Sequence, residues 1–67
     1  MTNEKMVMMA NQIATFFRSQ PRVDQAAGIA AHISDFWEPR MRDQLKAYLA
    51  QGGAGLDPLV KKAAATL

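Results

Sequence analysis

The sequence predicts an all-α protein, a small bundle of three helices plus a short C-terminal helix, in a single domain over residues 1–67. Three observations predict it. Apolar residues recur at steps of three and four along most of the chain, the spacing of one helix face. Pro39 and Pro58 each open such a run, at the first helical position where a missing N–H is harmless and a fixed φ suits the helix. The pair Gly52–Gly53 follows the third run, where glycine can take the left-handed conformation that ends a helix.

In the first helix Met6, Met9, Ala10, Ile13, Phe16 and Phe17 form one stripe, with Asn11, Gln12, Thr15 and Arg18 largely off it. Thr2 or Asn3 can cap its start, and Glu4 lies in the first turn, where a negative charge suits the helix dipole. Val7 and Met8 fall beside the stripe and widen the apolar face. "SQPR" ends the helix, because the residue before a proline is pushed out of the helical region.

The second helix is expected over residues 22–36, carrying Val23, Ala26, Ala27, Ile29, Ala30, Ile33 and Phe36, with Trp37 just beyond. Its middle, "AAGIAAH", is small. Gly28 there costs about 1 kcal/mol against alanine, and a small surface lets another helix approach closely, whether from this chain or a partner. The third helix follows from "EPRMRDQL": Met41, Leu45, Tyr48 and Leu49 share a face, and Arg40, Arg42, Asp43 and Lys46 lie outside it. "GGAGLDP" then reads as a hinge-like loop. Asp57 caps the last helix, Pro58 opens it, and Leu56 stands where a hydrophobic staple begins. Phe16, Phe17, Phe36 and Trp37 are expected to form the core, since aromatics dominate burial in small domains.

Composition narrows function. A chain of 67 residues buries only about 60% of its unfolded surface, so its core is marginal without a staple or partner. With no cysteine there is neither a disulfide framework nor a thiolate metal site. A net charge of +2 with both signs interspersed reads as solubility, not as a nucleic-acid footprint. The N-terminus carries no leader pattern, and no run approaches the ~18 apolar residues of a membrane span. A soluble, cytoplasmic protein is expected.

No catalytic, cofactor or metal site is predicted. His32, with Asp35 three residues on, could form an orienting pair, but no nucleophile motif or second histidine accompanies it. Asp24, Asp35, Glu38, Asp43 and Asp57 are explicable as helix-start charges, caps or solvated residues. "GGAG" lacks the Lys-Ser/Thr of a phosphate loop and follows a helix. A helix-turn-helix DNA-binding protein is the alternative, with arginines opening the third helix. Against it stand Glu38, Pro39 and Asp43 in the same stretch, and the few amides available for base edges. The five methionines and an apolar face too wide for so small a domain favour a docking module.

The strings "MANQIATFF", "GIAAHISDFWEPRMRDQL" and "GGAGLDPLVKKA", in that order and spacing, resemble the delta subunit of soluble NAD-dependent formate dehydrogenases. "FWEPRMR" is the most specific segment. The resemblance implies an accessory chain that binds no cofactor itself. Its partners would be large subunits carrying the molybdenum cofactor, iron–sulfur clusters, flavin and NAD site, the molybdenum-bearing one first among them. Trp37, Pro39, Arg40, Met41 and Arg42 are then expected on the docking face, with Pro39 setting the angle between the second and third helices. Arginine and tryptophan are the residue types that anchor interfaces. On this expectation, either arginine can be replaced without loss of fold.

Overall fold

Each of the four helices starts where a local signal tells it to. The computed structural model describes all of residues 1–67. Helix α1 (Asn3–Arg18) is capped by Thr2, whose hydroxyl accepts from the Lys5 N–H at 3.2 Å. Helix α2 (Gln25–Phe36) is capped by Asp24, which accepts from the Ala27 N–H at 3.0 Å. It therefore starts three residues later than its apolar pattern suggests, because Asp24 is extended. Val23 is left in the turn, half exposed. Helix α3 (Pro39–Ala50) begins on Pro39 after an extended Glu38 that makes no side-chain cap bond. Helix α4 (Pro58–Ala64) is capped by Asp57, which accepts from the Leu59 N–H. There are no strands.

Helices α1 and α2 form a hairpin in which Phe17 meets Gly28. A methyl group on Gly28 would come within 2.5 Å of the Phe17 ring. Helix α4 lies across both α2 and α1, while α3 packs on α1 and α4 and hardly touches α2. The small middle of α2 thus serves approaches within the chain. The radius of gyration, 10.8 Å, matches the ~11 Å expected of a compact domain of this length.

The core comprises Met6, Ala10, Ala14, Ala26, Ile29, Ile33, Trp37, Leu45, Leu56, Val60, Ala63 and Ala64. Five of these are alanines, so the interior between α1, α2 and α4 is lined by small side chains, and only Phe17, against Gly28, places a phenyl ring partly between helices. The aromatic core expected from the sequence is accordingly corrected. Trp37 is buried at 6% exposure, and Phe17 is only partly buried. Phe16 at 60% and Phe36 at 75% stand in solvent. On α1 the buried line is Met6–Ala10–Ala14, turned away from the stripe that the larger side chains draw. Val7 joins the core side and Met8 stays exposed.

The 51–57 loop is fastened, where a hinge was expected. Gly52, Gly53 and Gly55 all have positive φ, and three side chains from elsewhere hold the segment. Tyr48 donates its hydroxyl to the Ala54 carbonyl at 2.6 Å. The Asn11 amide donates to the Gly55 carbonyl and accepts from the Asp57 N–H, each at 2.9 Å. Arg18 donates to both Asp57 carboxylate oxygens at 2.6 Å. Leu56 is buried in the core, but the residue four places into α4 is Lys61, so the apolar partner of a staple is missing.

Two stability predictions arise here. Alanine at position 28 would gain about 1 kcal/mol of helix propensity, yet the Phe17 ring must move, and overpacking costs about 1–3 kcal/mol. Gly28→Ala should therefore destabilise the wild-type chain but stabilise a Phe17→Ala chain. Denaturant midpoints of the double-mutant cycle check this, and the same sign in both backgrounds contradicts it.

The second concerns acid. Arg18, hydrogen-bonded to Asp57, holds that carboxyl below its ordinary value against the opposing effect of burial, and the Leu59 N–H adds to the lowering. A folded pKa below the unfolded one means that the stabilisation is complete above about pH 4 and vanishes as pH falls through the folded value. Asp57→Asn keeps a capping acceptor but not the ion pair. Its melting temperature should drop less between pH 7 and pH 3 than that of the wild type. An equal drop would show that the pair contributes nothing.

Candidate functional site

The corner between α2 and α3 brings the residues of "FWEPRMR" together and gives them different tasks. The chain turns extended at Trp37 and Glu38, and Pro39 restarts the helix at once. Trp37 points inward and is nearly covered. Met41 is half-buried against the core. Pro39 and Arg40 are exposed, and Arg40 makes no hydrogen bond or ion pair.

Arg42 is not free. Its Nη1 donates to the carbonyls of Ser34 at 3.0 Å and Trp37 at 2.9 Å. These belong to the end of α2, where carbonyls lack helical partners. The guanidinium braces α3 against the end of α2, which it otherwise barely meets. Of the two arginines expected to be replaceable without loss of fold, Arg42 alone is hydrogen-bonded within the fold.

On the other side of Phe36 an apolar groove opens between α1 and α2. It encloses about 620 Å³ and is lined by Met9, Gln12, Ile13, Phe16, Phe17, His32 and Phe36. Helical spacing explains it: Met9, Ile13 and Phe16 lie along one side of α1, and His32 and Phe36 along the facing side of α2, one turn apart. The His32 ring stacks on Phe36 with centroids 4.8 Å apart, so the histidine is turned toward its neighbour at four residues and not into a pair with Asp35. Phe16 meets Phe17 edge to face at 5.2 Å. Gln12 and His32 are the only polar side chains of the lining. Nowhere do three His, Asp or Glu side chains gather as metal ligands, and no helix is long and apolar enough to cross a membrane.

The groove and the proline corner with its uncommitted arginine thus lie on either side of Phe36. Residues 5–64 match the family described as NADH-dependent formate dehydrogenase delta subunit FdsD. The chain belongs to that family. The matched span takes in the corner, the groove and the fastened loop. A search of curated proteins returns no match. Membership makes the other subunits of a formate dehydrogenase complex the chain's partners.

Sequence reasoning pointed to the corner but missed the groove. Phe16 and Phe36 carry the helical spacing of core residues, and nothing local to them says that alanines occupy the interior instead. A faint signal was present, since the alanines at positions 10, 14, 26, 63 and 64 also fall at helical spacings.

Proposed function

We propose that the chain is a non-catalytic accessory subunit of a molybdenum-containing, NAD-dependent formate dehydrogenase in the cytoplasm. It docks on the large subunits, the molybdenum-bearing one first, and supports the assembly, maturation or stability of the enzyme. The docking face runs from the groove, with Phe16 and Phe36 at its walls, across the corner of Pro39, Arg40 and Met41. Trp37 and Arg42 hold that corner from behind.

The observation that carries this reading is the exposure of Phe36 and Phe16 in a chain that can ill spare apolar surface. Burying one such ring is worth about 1.5–3 kcal/mol, and the isolated fold leaves both rings in water. A subunit that meets its partner there recovers that energy on assembly. Aromatic anchors with an arginine at their edge are the residues on which interface energy concentrates.

Co-expression with each large subunit in turn tests the reading. The chain should co-purify with one of them, and by itself should carry no flavin or metal and produce no NADH from formate. Co-purification with none of them, or formate oxidation by the chain alone, would refute it.

A further inference from the structure

Helix α3 is held to the rest of the molecule differently from the other three. It supplies Leu45 alone to the core of 12 buried residues, whereas α1, α2 and α4 supply three each. It packs on α1 and α4 and hardly on α2, its neighbour in sequence. Met41, Tyr48 and Leu49 are only half-buried against that core, and polar ties supplement this packing. Arg42 reaches the Ser34 and Trp37 carbonyls. Gln44 donates to the Met1 carbonyl at 2.8 Å and to Asn3 Oδ1 at 2.9 Å. All but one of these four bonds are exposed to solvent, so water can replace them. At its C-terminal end the chain leaves through Gly52 and Gly53, both with positive φ, and at its start through the two extended residues Trp37 and Glu38.

We propose that α3 is a strap that opens as a unit while α1, α2 and α4 remain folded. The two junctions are the joints, Leu45 is the one fully buried peg, and the Arg42 brace is the latch. Opening leaves 11 of the 12 core residues in place, including all that α1, α2 and α4 contribute. Local openings of this kind occur where buried apolar contacts are few and hydrogen bonds face solvent. Opening removes Leu45 from the core and uncovers apolar surface there. The chain thereby gains a second conformation that any partner gripping α3 would select against. This inference does not depend on which molecule covers the groove.

Native-state hydrogen exchange of the full chain tests it. Amides of residues 43–50 should exchange together, with protection at least about tenfold lower than the interior amides of α1 and α2, through an opening less sensitive to denaturant than global unfolding. Arg42→Ala should accelerate exchange in α3 several-fold while leaving the middle of α1 unchanged. If α3 in the wild-type chain is protected to the same extent as α2, the strap does not exist. Equal acceleration of all helices by Arg42→Ala would likewise show one cooperative unit and overturn the proposal. The wild-type measurement stands even if the variant fails to fold.

Discussion

Trp37→Ala is expected to abolish cooperative folding at physiological temperature. The indole is the largest side chain in the core and only 6% exposed. Replacing a buried tryptophan with alanine costs about 3–5 kcal/mol. A domain of this size has roughly 3–10 kcal/mol in total at typical values per residue. Five of the other core residues are alanines, so few large neighbours can collapse into the space. The melting temperature should fall by at least about 12 °C, with much of the helical circular dichroism lost at 37 °C. Trp37→Phe, which refills part of the volume, should restore a cooperative transition. A fall of only a few degrees in Trp37→Ala would mean that Trp37 is peripheral, and that the core rests on the isoleucines of α2 and on α4.

The contrast between Trp37 and its neighbour shows what the sequence makes legible here. Helix starts are local events. Thr2, Asp24 and Asp57 each bond to an N–H two or three residues away, so the caps can be read without knowing the fold. The same holds for Pro39, Pro58 and the glycine pair Gly52–Gly53. Which face of a helix turns inward is a different kind of question, because it depends on the helix opposite. Alanines on α1, α2 and α4 allow these helices to come close, and the close approach expels Phe16 and Phe36. Periodicity alone assigns those rings to the core, since both positions carry the right spacing.

The fasteners were harder still. Asn11 and Arg18 read as the polar face of α1, yet they hold a loop 39 to 46 residues further along. No spacing rule pairs positions so distant. Of the candidate site, the corner was recognisable from its unusual composition, but the division of labour within it was not. Arg40 and Arg42 look alike in sequence. The carbonyls at the end of α2, left open by the break at Trp37, are what bind one arginine and leave the other in solvent.

Phe36→Ala is the complementary case, with a large effect on assembly and almost none on the free chain. The ring is 75% exposed and its one recorded aromatic contact is the stack on His32, so the stability of the isolated protein should change by less than about 0.5 kcal/mol. If a large subunit covers the groove, each phenyl ring contributes about 1.5–3 kcal/mol to docking, or roughly a ten- to hundredfold change in Kd. Phe16→Ala should act likewise, and Arg40→Ala should weaken docking further if the guanidinium meets a carboxylate there, at about 2–5 kcal/mol for a buried pair. The decisive measurement is the Kd of the purified chain for formate dehydrogenase lacking this subunit, for wild type and for Phe16→Ala/Phe36→Ala, with melting temperatures of both free chains recorded alongside. The account predicts at least a hundredfold weaker binding by a variant that melts where the wild type does. Equal Kd values for the two chains would contradict it.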